Sequence, residues 1–183
     1  MKTEKNIDVD DVISEMETFI FQTENTIKSA RRIMNGLRPE QLELLGIIDA
    51  TEVYLHDFEE SHHIKCLFSN KINAQNIEPE QALVIFRILQ ESLNNVLKHA
   101  MATLINVKQS KNAENIILEI VDNGFGFDIN NNGRPDSYGI ISMKEQIRQI
   151  NGHFCINSKL GEGTTVSVEI PILTSSIINY ATT

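Results

Sequence analysis

Several features are scarce or missing in these 183 residues. There are only two cysteines, Cys66 and Cys155, and both lie in apolar strand-like segments. This setting favours buried reduced thiols over a disulfide or a metal site. No run of 18 apolar residues occurs, so no segment is predicted to span a membrane. The polar start of the chain does not resemble a signal peptide. We therefore expect a cytoplasmic protein without a membrane contact of its own, although a longer parent protein with a membrane anchor is compatible with this.

Positive charge is also in short supply. The chain has 16 Lys and Arg residues against 25 Asp and Glu residues, a formal net charge of −9. A general nucleic-acid binder needs a basic surface to displace counterions, so we expect no nucleic-acid partner. Internal repeats and long low-complexity tracts are missing as well. The length predicts one compact domain plus an appendage.

The first segment, 8–37, carries apolar residues at a heptad spacing. They follow one another in alternating steps of four and three: Val9, Ile13, Met16, Ile20, Thr23, Ile27, Ala30, Met34 and Leu37. This spacing is typical of helices that associate along their length. One helix cannot bury such a stripe alone, so the partner belongs to the same fold, to another chain or to sequence outside these residues. We expect a homodimer or a higher oligomer formed through this helix.

The rest of the chain mixes helical and strand-like patterns. Three further helices are predicted at 40–61, 78–100 and 139–150. Strands are predicted at 63–69, 103–109, 115–121, 153–158 and 164–171. The predicted inner side of the helix at 40–61 consists of Leu42, Leu45, Ile48, Val53 and Leu55. Because several strands follow one another directly, the fold class is predicted as α+β, a two-layer α/β sandwich preceded by a long dimerisation-type helix.

A polar set lies on the predicted helix at 78–100. Glu91 and Asn95 are four residues apart, so a carboxylate and a carboxamide share one face of the helix. The Asn95 amide offers an oxygen to Mg²⁺, which takes few protein ligands when phosphates supply the rest. Lys98 and His99 follow one turn later, within reach of phosphate oxygens. Asn94 is expected to project elsewhere. The competing interpretation of the whole set is a solvated helix face.

A second polar segment follows the predicted strand at 115–121. Asp122 ends this strand, and its carboxylate can accept a hydrogen bond from the exocyclic amine of adenine, where guanine presents a carbonyl. Gly124 and Gly126 let the backbone approach a ligand closely. The alternative is an ordinary Asn-Gly hairpin turn. The Gly- and Asn-rich loop at 124–137 is longer than a hairpin needs, which favours a functional loop.

Two more glycine-containing segments complete the set. Gly139 opens a predicted helix directly after the loop, and a glycine at a helix start exposes backbone N–H groups to phosphates. Gly161 and Gly163 lie in a predicted turn, after which the Thr164 hydroxyl can reach a base through a water molecule. Taken alone, this last segment is more typical of a plain hairpin.

In this order the segments resemble the ATP-binding domain of the gyrase, heat-shock chaperone, histidine kinase and mismatch-repair (GHKL) superfamily. More narrowly, they resemble two-component sensor histidine kinases of the nitrate-sensor and desaturase-thermosensor type. Residues 91–100 are similar to the N box and 122–127 to the G1 box. Residues 139–143, 151–152 and 161–164 are similar to the short-lid G2 region. Residues 37–39, Leu-Arg-Pro, resemble the link between the dimerisation and catalytic domains.

The resemblance implies ATP and Mg²⁺ as ligands, with Asn95 on the metal and Asp122 reading adenine. It implies Glu91 as the catalytic residue, since the acid at this position activates a water or otherwise assists at the γ-phosphate in the wider superfamily. The remaining nucleotide-binding positions that it implies are Lys98, His99, Gly124, Gly126, Gly139, Met143, Gly163 and Thr164. The loop at 124–137 would be the ATP lid.

The resemblance also implies a domain organisation. Residues 1–38 would be the second helix of a dimerisation hairpin, 39–173 the catalytic ATP-binding domain and 174–183 a flexible tail. The implied partner is a response regulator, which would receive the phosphoryl group from a phosphorylated histidine.

One departure from the family pattern concerns that histidine. The histidines of this chain are His56, His62, His63, His99 and His153, and none has the setting of a phosphoacceptor. We therefore expect the chain to bind ATP without phosphorylating itself, while the parent protein transfers the γ-phosphoryl group of Mg-ATP to a histidine missing here. Two alternative interpretations are an anti-sigma-type serine kinase and a non-catalytic kinase-like interaction module.

Overall fold

A computed structural model describes residues 40–73, 77–128 and 137–172, together with the single positions 16, 20 and 23. The chain divides into two compact units, Met1–Pro39 and Glu40–Thr183. In the first unit the three described positions are helical. The remainder of the predicted N-terminal helix, its Leu-Arg-Pro link, most of the predicted lid and the predicted tail lie outside the described residues.

The described part of the second unit consists of three α-helices, a π-helical turn and five strands. The helices are α1 (Glu40–His62), α2 (Pro79–Asn95) and α3 (Ser137–Gln149), and the π-helical turn is Val96–Ala100. The strands are β1 (Lys65–Asn70), β2 (Leu104–Lys111), β3 (Asn115–Asp122), β4 (His153–Lys159) and β5 (Gly163–Pro171). Each predicted helix and strand in these ranges is present, with small shifts at the ends.

The five strands form one mixed sheet in the order β1-β2-β3-β5-β4. The pair β1–β2 is parallel and every other pair is antiparallel. A parallel pair needs a long crossover connection, and α2 supplies it. The helix α2 packs against α1, α3 and the central strand β3. The structure is therefore a helical layer on a sheet, and the predicted α+β fold class is confirmed.

The core lies between the sheet and the helical layer. Side chains alternate along β3, so Ile116, Leu118 and Ile120 are buried while the residues between them are partly exposed. The facing helix α2 contributes a buried stripe of Ile85, Phe86, Ile88, Leu89 and Leu93. Pro79 in the first turn and a capping box between Glu78 and Gln81 fix where α2 begins. This fixed start determines which side of α2 carries its later polar residues.

The predicted inner side of α1 is wrong at two positions. Leu45 is 45% exposed and Val53 is 36% exposed. Gly46 has φ 76° and ψ 174°, which interrupts the helix. The helical phase restarts at Ile47, and the buried residues beyond it keep a helical spacing: Ile47, Ala50, Thr51, Leu55 and Phe58. An uninterrupted helix was the wrong assumption at this point.

The two thiols are free and partly buried. Burial, followed by the nearby carboxylate of Glu59, raises the pKa of the Cys66 thiol to about 11, so this thiol stays protonated near neutral pH. None of the helices within the described ranges combines the length and the apolar character needed to cross a lipid bilayer.

Candidate functional site

The helix α2 ends in the π-helical turn, which departs from regular α-helical spacing. Such turns occur frequently at functional sites. Lys98 and His99 lie on this turn and are exposed. The apolar spacing of the predicted helix at 78–100 places Leu97 on its buried face with Leu93 and Val96, but Leu97 is 45% exposed, because the wider turn changes which side chains face the core. The turn stops at Met101, whose left-handed backbone (φ 47°) redirects the chain toward β2.

Glu91 is a half-buried carboxylate on α2. Burial raises its pKa, and two neighbours oppose the shift, the positive charge of Lys98 and a hydrogen bond from the Asn94 amide. The prediction that Asn94 projects elsewhere is wrong, because residues three apart on a helix are also neighbours. The pKa of Glu91 is thus raised because burial outweighs the Lys98 charge and the Asn94 hydrogen bond.

Gly139 lies directly against the Glu91–Asn95 face. The prediction that Gly139 opens this helix is wrong by two residues, because α3 begins at Ser137 and Gly139 lies within its first turn. A Cβ atom on Gly139 would overlap Oε1 of Glu91 and would lie 3.7 Å from Oδ1 of Asn95. The first N–H groups of a helix have no acceptor within the helix. The first turn of α3 therefore brings N–H groups close to the carboxylate and the carboxamide.

Asp122 is the last residue of β3 and is only 7% exposed. The β3–β5 register places it opposite Thr164. Its Oδ1 accepts a hydrogen bond of 2.8 Å from the Gly124 N–H. Burial raises the pKa of Asp122, and the opposing donors are the N–H of Gly124 and both the N–H and the hydroxyl of Thr164. The result is a buried acceptor group oriented by neutral donors.

Three glycines let the turn after β3 pack against its neighbours. A Cβ atom on Gly124 would overlap Ala100, and one on Gly126 would overlap the carbonyl oxygen of Lys159. Gly163 has φ 79° and lies against the carbonyl oxygen of Asp122. The close approach predicted for a ligand thus occurs here between segments of main chain. These contacts fix the position of Asp122 relative to the π-helical turn and the β4–β5 turn.

Met143 lies deeper than the other predicted site residues. It is 1% exposed, and its Sδ accepts a hydrogen bond of 3.7 Å from the hydroxyl of Ser92, the residue after Glu91. The pair joins α2 to α3 beneath the face that carries Glu91. A contact between Met143 and a nucleotide remains a prediction.

Two polar residues that the sequence analysis missed hold the site together. Oδ1 of Asn123 accepts the N–H groups of Thr103 and Leu104, each at 2.9 Å, and its amide nitrogen donates to the Thr103 hydroxyl. The Ser158 hydroxyl lies 2.9 Å from that of Thr164. The sequence could have predicted the role of Ser158, because a hairpin around the predicted turn at 160–163 places Ser158 opposite Thr164.

All of the predicted site residues except His99 and Met143 therefore form two groups. Glu91, Asn95, Lys98 and Gly139 gather where α2 meets α3, and Asp122 gathers Gly124, Gly126, Gly163 and Thr164 where β3 meets β5. The groups are joined through Ala100 at the end of the π-helical turn, whose carbonyl accepts the Phe125 N–H at 2.8 Å. Clusters of three or more His, Cys, Asp or Glu side chains suited to a metal ion do not occur in the described ranges.

A comparison with protein families matches residues 80–174 to the family described as histidine kinase-, DNA gyrase B-, and HSP90-like ATPase. The match spans both groups of site residues.

Two curated relatives are histidine kinases. The chain is 33% identical over 146 residues to the oxygen sensor histidine kinase NreB of Staphylococcus carnosus (strain TM300), which covers 80% of this chain and 42% of that protein. It is 31% identical over 166 residues to the signal transduction histidine-protein kinase/phosphatase DegS of Brevibacillus brevis, covering 91% and 43%. The chain thus spans less than half the length of these relatives. The two alternative interpretations gain no support from them.

Solved structures show the same fold. The histidine kinase domain from Erythrobacter litoralis EL346 blue-light activated histidine kinase superposes with a TM-score of 0.58 at 18% identity, covering 69% of this chain and 61% of that one. At this level of identity the likeness shows the fold alone.

Proposed function

Because this chain belongs to the family of histidine kinase-, DNA gyrase B- and HSP90-like ATPases and is the catalytic ATPase domain of a sensor histidine kinase, we propose that residues 40–172 bind ATP together with Mg²⁺. We further propose that the bound ATP donates its γ-phosphoryl group to a histidine outside these 183 residues. From that histidine the group would pass to a response regulator.

The observation that carries the proposal is the setting of Asp122. A buried carboxylate oriented by the Gly124 N–H and by Thr164 is an acceptor of fixed direction. The amine at position 6 of adenine is the matching donor, and the carbonyl of guanine or hypoxanthine at that position is not. A site that leaves a buried acceptor without its donor rejects the wrong base strongly. Asp122 is therefore assigned as the adenine reader, with Thr164 as its partner.

The other group of residues suits the phosphates and the metal. The Asn95 carboxamide would serve as the protein ligand of Mg²⁺, with phosphate and water oxygens completing its coordination. Lys98 and His99, both exposed on the π-helical turn, would neutralise phosphate charge, and the first turn of α3 at Gly139 would add N–H donors. When bound, Mg²⁺ supplies charge neutralisation at the phosphates. The pocket glycines Gly124, Gly126 and Gly163 and the side chain of Met143 are assigned to the nucleotide site as well.

Phosphoryl transfer asks mainly for positioning and for stabilisation of charge. Glu91 is assigned as the catalytic carboxylate, since it lies beside Asn95 and its pKa is raised by burial. A raised pKa brings a carboxyl group closer to the range where it can hold or release a proton during the reaction. The N-terminal segment 1–38 is proposed as the helix that forms a homodimer or a higher oligomer.

Titration calorimetry with ATP and with ITP tests the base assignment. ITP differs from ATP by a carbonyl in place of the amine at position 6. We expect the protein to bind Mg-ATP much more tightly than Mg-ITP, and Asp122→Ala to lose most of this preference. Asp49→Ala, which removes an exposed carboxylate on α1, is the matched control. Equal binding of both nucleotides by the unaltered protein would overturn the assignment.

Incubation with ATP labelled at the γ-phosphate tests the transfer. The chain alone should acquire no acid-labile label, and a separate chain that carries a phosphoacceptor helix of a related kinase should acquire it when the two are mixed. Glu91→Gln should slow this transfer while ATP binding persists. Acid-labile label on the chain alone, or acid-stable label on the acceptor, would contradict the proposal.

A further inference from the structure

A hydrogen-bonded chain of hydroxyl groups runs behind the Asp122 carboxylate. The Thr164 hydroxyl bonds to that carboxylate, and the Ser158 hydroxyl lies 2.9 Å from the Thr164 hydroxyl oxygen. The Phe127 N–H donates to the Ser158 oxygen at 2.8 Å. This chain links the segment after β3 to the β4–β5 hairpin through side chains.

We propose that Ser158 is a positioning residue that holds the pair Asp122–Thr164 in the geometry needed to read adenine. The inference rests on the proposed function and deepens it, because Ser158 acts on the base through Thr164 and Asp122. Its hydrogen-bond partners are the Phe127 N–H, the Gly163 carbonyl oxygen and the Thr164 hydroxyl.

The single proton of each hydroxyl determines the direction of the chain. Thr164 donates its proton to the ionised Asp122, so its oxygen is the acceptor at the contact with Ser158. Ser158 is then the donor, and the Phe127 N–H occupies one of its lone pairs. In this arrangement each group in the sequence Phe127, Ser158, Thr164, Asp122 donates to the next. Hydrogen bonds arranged in this way polarise and strengthen one another.

The second contact of Ser158 gives the same residues another arrangement. Its hydroxyl lies 3.0 Å from the Gly163 carbonyl oxygen. If Ser158 donates to Gly163, Thr164 is free to turn its proton away from Asp122 and toward Ser158. The carboxylate then loses one of its orienting donors. Ser158 thus governs whether the Thr164 hydroxyl points to the carboxylate that reads the base.

The surroundings leave few other groups to orient Asp122. The pKa of Asp122 responds to burial, to the Gly124 N–H and to Thr164, and no charged side chain among the described residues contributes to it. Of these groups, the Thr164 hydroxyl alone can rotate. The adenine contact therefore depends on what orients the Thr164 hydroxyl, and Ser158 is the side chain that orients it.

The test compares ATP with ITP in variants of Ser158. Ser158→Ala, and Ser158→Val as the near-isostere of threonine, lack the hydroxyl, and Ser158→Thr retains it. We expect the ATP-to-ITP affinity ratio to fall about fivefold in the Ala and Val variants, as for the loss of one hydrogen bond. Ser158→Thr should keep the ratio of the unaltered protein. Ser167→Ala, on the adjacent strand β5 and outside this chain of bonds, is the control.

The ratio separates positioning from a general loss of structure. A variant that is only destabilised binds both nucleotides less well, and its ratio stays unchanged. Thermal unfolding without nucleotide verifies that each variant is folded, and the Thr and Val variants carry the comparison if the Ala variant does not fold. An unchanged ratio in the variants without the hydroxyl, or an equal loss in Ser158→Thr, would overturn the inference while the proposed function stands. If the unaltered protein itself does not prefer ATP to ITP, both fall.

Discussion

Gly139 lies so close to Glu91 that a methyl group on the glycine would occupy the place of the carboxylate oxygen Oε1. The two residues belong to different helices, α3 and α2, and neither would reveal the contact from its own sequence neighbourhood. The contact means that a side chain at position 139 would require the Glu91 carboxylate to move from its present place.

A double-mutant cycle tests this relationship. Alanine in a helix is favoured over glycine by about 1 kcal/mol, so Gly139→Ala in a Glu91→Ala background should raise the free energy of unfolding by about that amount. With Glu91 present the gain should be smaller, because the flexible carboxylate has to move away. Urea unfolding of the four proteins gives the coupling energy, expected to be about 0.5 kcal/mol or more. Strict additivity would show that the two residues do not meet.

The stability of the nucleotide-free protein should depend on pH through Asp122. Burial raises its pKa above the ordinary 3.8, so its stabilising contribution is complete below that value and is lost as the pH rises through the folded-state pKa. Asp122→Asn removes the charge and keeps an oxygen for the Gly124 N–H. We expect the variant to be more stable than the unaltered protein at pH 7, by roughly 1 kcal/mol.

This advantage should shrink as the pH falls toward 3.8 and should vanish below it, where the carboxyl group of the unaltered protein becomes protonated in both states. Urea unfolding between about pH 4 and pH 8 measures it. Asp49→Asn, at an exposed position on α1, should show no comparable difference. A variant at Asp122 that is less stable at pH 7 than at pH 4, relative to the unaltered protein, would reverse the sign and contradict the argument.

Removal of Mg²⁺ should affect the unaltered protein more than an Asn95 variant. If the Asn95 carboxamide holds the metal, EDTA should weaken ATP binding on the order of tenfold. This is the lower end of the effect that mutating residues which support metal ligands has on metal affinity. Asn95→Ala should bind Mg-ATP about as weakly as the unaltered protein binds ATP in EDTA. Asn106→Ala, an exposed position on β2, should keep the full dependence on metal. Calorimetry that finds equal effects of EDTA on all three proteins would remove Asn95 from the metal site.

A buried polar contact between α1 and β2 gives a prediction that is independent of nucleotide. The Gln109 amide nitrogen donates to the Thr51 hydroxyl at 3.1 Å, and both side chains are almost fully buried. Oε1 of Gln109 has no hydrogen-bond partner within the described residues. Thr51→Val leaves the amide nitrogen without its acceptor and should cost about 1–3 kcal/mol. Adding Gln109→Leu should recover most of the loss.

Denaturant unfolding measures both steps, and calorimetry with ATP serves as the control. Nucleotide affinity should be the same in the single and double variants, because the pair lies under α1 and away from both groups of site residues. A double variant that is as unstable as Thr51→Val would show that the loss reflects packing and has no polar origin.

The positions of the strands along the chain followed from local sequence patterns. Alternation predicted β3 and β5, and the Asp-Asn-Gly sequence after β3 marked the carboxylate that the structure buries at the strand end. The inner side of α1 did not follow, because the backbone angles of one residue, Gly46, reset the phase of everything after it. A spacing rule assumes a continuous helix. A glycine in the sequence does not by itself reveal that the helix is interrupted there.

The arrangement of the site depended on contacts between segments that are far apart in sequence. Asn94 was set aside because only the spacing of four was considered, and its hydrogen bond to Glu91 uses the spacing of three. Ser158 was overlooked because its importance comes from a register across a hairpin. The exposure of Leu97 required knowledge of the π-helical turn, which no pattern in the sequence indicated. Local rules predicted the kinds of groups at the site, and tertiary pairing determines how they are oriented.

The strand order has a consequence for how the unit assembles. The strands β2 and β3 are joined by a short turn, as are β4 and β5, so these hairpins can close early with little loss of chain entropy. The edge strand β1 is connected to β2 through the whole of α2, so their parallel pairing brings together segments that are distant in sequence. Non-local parallel pairings form slowly. We expect the docking of β1, with α1 attached to it, to be the late step of folding, and mutations there to accelerate unfolding more than they slow folding.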